Sequence, residues 1–341
     1  MKPHPILFPF SVMYGVIVSL RNLFFDMGLL RSVDIGLPVI SVGNITVGGT
    51  GKTPIVKNVA GILMEAGKKV AIISRGYGRM TTGTIVVSDG ENIVSDANSS
   101  GDEPMMLAKS LQNAVVIVDE DRVRGAKKAM DEFKAEVIIL DDGFQHRYLQ
   151  RNKDIVLMDA EHLPFKTMML PAGYRREPKR SLHRADAIMM TKSVTASETG
   201  KIVRQWGVGS SQRIFSSSFT PSGIKHLFGG VKQSLEILKG HTAVVFCGIA
   251  RPESFMNSLV SCGVIIKETK AFSDHHDFER AEIDAIIESF HHHKADFILT
   301  TEKDAVRLQK FESILKDLPV LSLIMDVTVH QKDEWKKYIL D

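Results

Sequence analysis

Short, uninterrupted apolar runs recur along this chain, and a loop and a helical spacing of apolar residues follow most of them. LPVISVG (37–43) precedes a glycine-rich loop and a helix predicted from about Pro54 to Ala66. KKVAIIS (68–74) leads into RGYGR, NAVVIVD (113–119) into a helix predicted over about 122–134, and AEVIILDD (135–142) into GFQH. KDIVLMDA (153–160) and ADAIMMTK (185–192) continue the series. Runs that are apolar throughout belong to strands buried on both faces, and their alternation with helices predicts a parallel sheet covered on both sides. Ligands of such sheets collect at the C-terminal strand ends. The residues directly after each run are therefore the candidate chemistry. After about residue 215 a second, smaller α/β unit is expected. HTAVVFCGIARPESF (241–255) reads as strand, loop and helix with Ser254 as N-cap, and KADFILTTEKDAVRL (294–308) repeats the form. HHH at 291–293 reads as a solvated helix end rather than a metal site.

The N-terminus breaks the pattern. Residues 5–20, PILFPFSVMYGVIVSL, carry no charge. From Phe10 onward the small or polar residues are Ser11, Gly15, Ser19, Asn22 and Asp26, which draw one narrow stripe along a helix whose remaining surface is apolar. Sixteen helical residues cover about 24 Å, less than the roughly 30 Å of a bilayer core. Arg21 and Asp26 interrupt any extension, and no clean cleavage site follows. Two readings stay open: a helix lying in a membrane surface, or a helix packed on the protein's own core.

Composition narrows the classes. The chain has 341 residues, 44% of them hydrophobic and 24% charged, with a formal charge of +3. That is an ordinary globular protein of about two domains, and its mild basicity excludes a general nucleic-acid binder. Cys247 and Cys262 form no CxxC and no zinc spacing, so they read as buried small hydrophobes in a reducing compartment.

SVGNITVGGTGKTP (41–54) carries the clearest chemistry. Strand, glycine-rich turn and helix form the context of a phosphate-binding loop. Backbone N–H groups of residues 48–53 can hold phosphate oxygens, aided by the helix N-terminus. Gly48, Gly49 and Gly51 permit close backbone approach around Thr50. Lys52 would reach the terminal phosphates, and the Thr53 hydroxyl would ligate Mg²⁺. Thr46 stands where G-x-x-x-x-G-K-[ST] wants glycine, and Gly48-Gly49 can make the turn one step later.

A Mg²⁺–nucleotide also needs a carboxylate on a neighbouring strand end. Asp119, Asp141 and Asp159 are the choices, and Asp141-Asp142 is preferred because the doubled acid is followed at once by Gly143, Gln145 and His146. Asp119-Glu120 would instead cap the helix near Arg122. The guanine-reading pattern [NT]KxD fails, since Thr191-Lys192 is followed by Val194 where aspartate belongs. ATP is therefore preferred to GTP.

Eight blocks occur in order: SVGNITVGGTGKTP, ISRGYG (73–78), GDEP (101–104), DDGFQH (141–146), LPAGYRREP (170–178), GIARPESF (248–255), DHH (274–276) and TEKDAV (301–306). Together they resemble the tetraacyldisaccharide 4'-kinase (lipid A 4'-kinase) family, over about residues 38–308. Thr46 fits as well, since that family's loop resembles TVGGTGKT. The resemblance implies transfer of the ATP γ-phosphate to the 4'-hydroxyl of a lipid A disaccharide 1-phosphate, at the cytoplasmic face of the inner membrane. It also implies an N-terminal membrane-associating helix over 1–30, peripheral or monotopic. A P-loop NTPase-like α/β domain is expected over 31–215, and a smaller α/β domain closing over the ATP cleft over 216–341. No nucleic acid and no obligate protein partner are implied.

A sugar hydroxyl is a poor nucleophile, and a base helps by taking its proton. Asp102 in GDEP is the candidate, with an N-cap role before the helix at Pro104 as the plainer alternative. By resemblance it pairs with the histidine of DHH, for which His275 is a better match than His276. Domain closure would then complete the site. Arg122, Tyr77 and the pair Arg176-Glu177 resemble substrate-contacting positions. Gln145 and His146, beside the acids, would meet the γ-phosphate or the sugar. Arg124 reads as a surface charge, and the role of Lys303 and Asp304 stays unassigned. The cluster Arg175, Arg176, Lys179, Arg180 and Arg184 suits a phosphate or anionic headgroup, or a solvated loop.

Two other classes compete. Regulatory ATPases of the deviant-loop type use KGGxGK[ST], but Val47 replaces the signature lysine here. Metal-dependent phosphoesterases also carry Asp-His-His, but they need aspartate motifs on early strands, where this chain has its phosphate loop.

Overall fold

The computed structural model describes residues 5–164, 167–193 and 212–341. Val194, which broke the guanine-reading pattern, lies outside them, as do the first four residues. The chain forms two compact units: Met1–Ser218 together with Val327–Asp341, and Phe219–Asp326.

The first unit opens with helix α1 (Phe8–Asp26) and continues β1 (Val39–Asn44), α2 (Lys52–Glu65), β2 (Val70–Ser74) and β3 (Ile85–Asp89). The short α3 (Ala97–Ser100) and α4 (Asp102–Ser110) precede β4 (Val115–Val118), α5 (Arg122–Phe133), β5 (Val137–Asp141), β6 (Lys153–Asp159) and β7 (Ala187–Thr191). The first residues of β8 (Arg213–His226) complete its sheet. The strand order is β8-β7-β6-β1-β5-β2-β4-β3, parallel except for the edge strand β3. Strands β1, β2, β4, β5 and β7 are buried along their whole length, as their continuous apolar runs required. Register then aligns the chemistry: Val42 faces Asp141, and Asp159 faces Thr191. Helix α2 buries Ile55, Val56, Val59, Ala60 and Leu63.

The second unit holds the remainder of β8, β9 (Lys232–Gln233), β10 (Thr242–Cys247), α6 (Pro252–Ser261), β11 (Ile265–Ala271) and α7 (Arg280–His293). β12 (Phe297–Thr301), α8 (Glu302–Arg307), α9 (Glu312–Leu315) and most of β13 (Val320–Val329) follow. Strands β11, β10, β12 and β13 are parallel neighbours in that order. Phe246, Phe278, Ile283, Ile286, Ile298 and Leu308 form one of its cores.

Several details differ from the sequence reading. The terminal helix α10 (Lys332–Leu340) belongs to the first unit, although residues 216–341 were expected to form the smaller domain. Its Trp335 is buried 4.9 Å from the Phe215 ring and donates from Nε1 to Asn58 Oδ1 at 2.8 Å. An amphipathic helix settles where apolar surface awaits it, and sequence order does not reveal that place. Ser254 is not an N-cap: Arg251 holds that position, with Pro252 in the first helical turn. Asp121, not Asp119 or Glu120, caps α5. Both cysteines are free, and Cys262 is only half-buried.

Close packing fixes β1. A Cβ built on Gly43 would lie 2.6 Å from Phe144 N and 2.7 Å from Phe144 Cβ, both atoms of a fully buried residue. Gly43→Ala is expected to destabilise the first unit by about 1–3 kcal/mol, as overpacking does. Urea unfolding checks this, and a midpoint equal to that of the unsubstituted chain refutes it.

Candidate functional site

The phosphate loop is held from outside. Residues 45–47 pair with 174–176: Val47 N donates to Tyr174 O at 2.8 Å, Arg176 N donates to Ile45 O at 2.8 Å, and Thr46 bridges Arg175. Thr46 is thus a ladder residue, which explains why no glycine is needed there. The left-handed conformations fall at Gly48 (φ 108°) and Gly51 (φ 84°), where glycine carries no steric cost. Helix α2 starts at Lys52, two residues before the predicted Pro54. Asn44 Nδ2 donates to Thr50 Oγ1 at 2.8 Å, and Thr191 Oγ1 donates to Thr50 O at 2.9 Å, so the ends of β1 and β7 both hold the loop.

The doubled acid ends β5 beside this loop. Ser74 Oγ donates to Asp141 Oδ2 at 2.9 Å, while Asp141 Oδ1 is buried without a hydrogen-bond partner among the described residues. Burial raises the Asp141 carboxyl above its usual range, and Glu103 and Asp142 push the same way. Asp142 takes a left-handed backbone (φ 53°) and aims elsewhere. Its Oδ1 lies 3.6 Å from Lys52 Nζ, and its Oδ2 accepts from Arg176 Nη1 at 2.7 Å. Burial opposes its ionisation, but Lys52 and Arg176 outweigh burial and hold its carboxyl low. Orphaned buried polar atoms are rare in folded proteins and point to a missing partner. The unpartnered oxygen of Asp141 and the buried Thr53 are hard oxygen donors that fit Mg²⁺.

The rival acids are engaged. Asp119 accepts from Arg124 Nη2 at 2.7 Å and Nε at 2.9 Å, and from Thr84 Oγ1. Arg124, read from sequence as a surface charge, is exposed and also clamps a buried carboxylate. Asp159 pairs with Lys192 Nζ at 2.9 Å. Arg122 is buried, donates from Nη1 to Asp119 O at 3.1 Å, and has Asp141 and Asp142 as its main compensating charges against burial. Gln145 Nε2 donates to Asn44 O at 2.8 Å. Lys52, Thr53, Arg122, Asp141, Asp142, Gln145, His146 and Arg176 thus belong to one neighbourhood.

Three further expected residues have settings of their own. Glu177 is fully buried, and its carboxylate accepts from Asn22 Nδ2 at 2.8 Å, Arg184 Nη1 at 3.2 Å and Arg21 Nη2 at 3.3 Å. Burial opposes its ionisation, yet Arg184, Ser181 and Asn22 hold the carboxyl low. It anchors α1 rather than facing outward. Tyr77 is 73% exposed. Its RGYG backbone locks against GDEP, because a Cβ on Gly101 would lie 2.9 Å from Tyr77 O. Asp102 begins α4 with Gly101 as N-cap, so the cap role considered for Asp102 passes to Gly101.

Helix α1 turns its polar stripe inward. Ser11 Oγ accepts from Ala172 N at 2.8 Å, Tyr14 Oη donates to Arg176 O at 3.1 Å, and Arg147 pairs with Asp26 at 2.8 Å. Phe8, Phe10, Val12, Met13, Val16, Ile17, Leu20, Leu23 and Phe24 are exposed. This is the reverse of a soluble surface helix, which buries its apolar stripe.

In the second unit His275 and His276 separate. His276 Nε2 lies 2.8 Å from Glu282, and its ring stacks on Phe272 at 4.7 Å. His275 Nε2 lies 2.9 Å from Lys303 Nζ, and its Nδ1 lies 3.2 Å from Arg307 Nη2. Ring nitrogens facing cationic donors are not arranged as metal ligands, which weighs against the phosphoesterase reading. Sequence reasoning missed Arg307, Asn44 and Ser74. Asn44 and Ser74 end β1 and β2, which was their only signal, and Arg307, at the end of α8, had none.

A phosphate loop at the head of a parallel sheet, with acids on the adjoining strand, places the chain among the P-loop α/β proteins. The family model for tetraacyldisaccharide-1-phosphate 4'-kinase (LpxK) matches residues 3–341, and the chain belongs to that family. It is 37% identical over 342 residues to the tetraacyldisaccharide 4'-kinase of Syntrophus aciditrophicus, covering 97% of this chain and 91% of the relative. It is 41% identical over 299 residues to that of Geobacter metallireducens, covering 87% and 86%. It is similar to the crystal structure of "apo" form LpxK from Aquifex aeolicus in complex with ATP, with TM-score 0.80, 34% identity and 98% of each chain covered.

His146 supplies a pH test. Burial, then Arg122 and Arg151, lower its pKa from 6.5 to about 4. Between these values an unfolded histidine takes up a proton that the folded site refuses, so stability is lost as pH falls through that window. His146→Gln is expected to flatten the acid arm of a Tm–pH curve between about pH 6.5 and 4. An unchanged arm refutes the assignment.

Proposed function

We propose that the chain transfers the γ-phosphoryl group of ATP to the 4'-hydroxyl of tetraacyldisaccharide 1-phosphate, forming lipid IVA in lipid A biosynthesis. The proposed location is the cytoplasmic face of the inner membrane. The observation that carries the reading is the unpartnered buried oxygen of Asp141, beside Lys52 of the phosphate loop, in a chain of the kinase family. Mg²⁺, when bound, neutralises phosphate charge. Its proposed holders are Thr53 and Asp141, with Asp142 next to them.

The side chains carry the rest. Backbone N–H groups of 48–53 and the Lys52 ammonium hold the phosphates of ATP and oppose the charge that gathers on the leaving group. Asp102 takes the proton of the acceptor hydroxyl. That oxygen bonds to the γ-phosphorus as the bond from phosphorus to the bridging oxygen breaks, and ADP leaves with the electron pair. We assign His275 of the smaller unit to the same proton transfer, on closure over the ATP. Arg122, Arg176, Gln145, His146 and Tyr77 are the proposed contacts to the transferring phosphoryl group and the disaccharide. Glu177 acts at one remove, by holding α1 and Arg184.

The reading extends to the lipid. An acceptor with four acyl chains resides in a membrane, and α1 offers a row of exposed apolar side chains to it. At about 25 cal/mol per Å² of apolar area, that row favours leaving water.

Incubation with ATP, Mg²⁺ and the disaccharide 1-phosphate in detergent is expected to yield a phosphorylated lipid. Lys52→Ala abolishes it, while Asp102→Ala lowers kcat by about 10²–10⁴-fold with ATP binding kept. ATP consumption without lipid product refutes the kinase reading. Near-full turnover of Asp102→Ala refutes the base assignment alone. Separately, the chain is expected to float with phospholipid vesicles, and a Val16→Asp, Leu20→Asp variant to stay in solution. Equal flotation of the two counts against the membrane role of α1.

A further inference from the structure

We propose that the buried Asp304–Arg307 ion pair positions the His275 imidazole for phosphoryl transfer, a role that rests on the reading of His275 given above. Three strand ends converge on this histidine. GIARPESF follows β10, DHH follows β11 and TEKDAV follows β12.

The connections are continuous. His275 N donates to Gly248 O at 3.2 Å. Gly248 N donates to Asp304 Oδ2 at 3.1 Å. Arg307 Nη1 donates both to Gly248 O at 3.2 Å and to Asp304 Oδ1 at 3.1 Å. Its other nitrogen, Nη2, lies 3.2 Å from His275 Nδ1. Thr301 Oγ1 donates to Asp304 Oδ2 at 2.7 Å and accepts from Asp304 N at 3.1 Å, which ties the carboxylate to the start of α8. One guanidinium therefore fixes both the backbone carbonyl that holds His275 and the ring itself.

Two features make a purely structural role a poor explanation. A buried ion pair is costly to desolvate, and apolar residues of similar volume often stabilise a fold as well or better. His275 also adopts a left-handed backbone (φ 60°), which is uncommon outside glycine and must be held by its surroundings. Space is kept for the arrangement at Gly248, where a Cβ would lie 3.0 Å from His276 Cβ and 3.2 Å from Asp304 Oδ1. Lys303 Nζ lies 2.9 Å from His275 Nε2 and 3.2 Å from Asp274 Oδ1; a neutral imidazole accepts at one nitrogen only, so the ring takes a hydrogen bond from either Arg307 or the more exposed Lys303, not from both. The neighbouring His276 has its own carboxylate, Glu282, and lies outside this network.

The geometry assigns Asp304 and Arg307 as positioning residues, with no contact to substrate required. A guanidinium fork directs two nitrogens at fixed angles, which an ammonium does not reproduce. In the full-chain kinase assay, Arg307→Lys is expected to lower kcat by about 10–100-fold, the cost of a misplaced group, with the KM for ATP changed less than about twofold. In a His275→Ala background the same substitution is expected to cost nothing further, since its effect passes through the imidazole. Ring-nitrogen NMR of the folded chain should show the His275 Nδ1 signal shifted by Arg307→Lys and the His276 signals unmoved. Asp304→Asn should behave like Arg307→Lys. If Asp304→Asn does not fold, Arg307→Lys decides alone. Full kcat in Arg307→Lys, or an equal loss with and without His275, overturns the proposal. Near-full kcat in His275→Ala alone would instead overturn the reading of His275 itself.

Discussion

The short ladder between residues 45–47 and 174–176 is the constraint on which the site depends. It holds the first half of the phosphate loop extended, so the turn is delayed to Gly48 and Gly51. It also delivers Arg176 to Asp142. The next residue, Glu177, holds Asn22 and Arg21 of α1. Nucleotide loop, acids and apolar helix therefore hang on one segment of chain. A displacement of that segment would move the nucleotide site and the apolar helix α1 together.

Electrostatics separate two adjacent carboxylates. Asp141 is strand-borne, buried and raised by its surroundings, whereas Asp142 turns into the left-handed region and meets two cations. Neighbours in sequence thus acquire different chemistry, because one peptide bond points their side chains into different fields. The same logic splits His275 from His276. The first faces Lys303 and Arg307, and the second faces Glu282. Helix α1 inverts the usual arrangement for a soluble protein, with its polar stripe satisfied inside and its apolar residues left outside.

Much of the architecture was readable from short-range pattern. The continuous apolar runs became buried parallel strands, and the expected helices after residues 51 and 121 formed within about two residues of prediction. The preference for Asp141-Asp142 over Asp119 and Asp159 rested on a doubled acid beside glycine. The partners Arg124 and Lys192 now account for the other two. Edge strand β3 and the long β8 left no clear mark, since neither is apolar along its length. Glu177 was expected to contact substrate because the pair Arg176-Glu177 resembles the family's substrate-contacting positions, but its side chain turns to α1.

By itself, the sequence determined the periodicities, the glycines that permit left-handed turns, the doubled acid and the ordered blocks that identify the family. These are local properties, set by sterics and burial over a few residues. Only the tertiary structure decided that residue 176 meets residue 142, that Trp335 packs on β8 and α2, and that Asp304 and Arg307 surround His275. Those pairings join side chains from separate elements. They follow from the sheet's register and the packing around it, which no local pattern encodes.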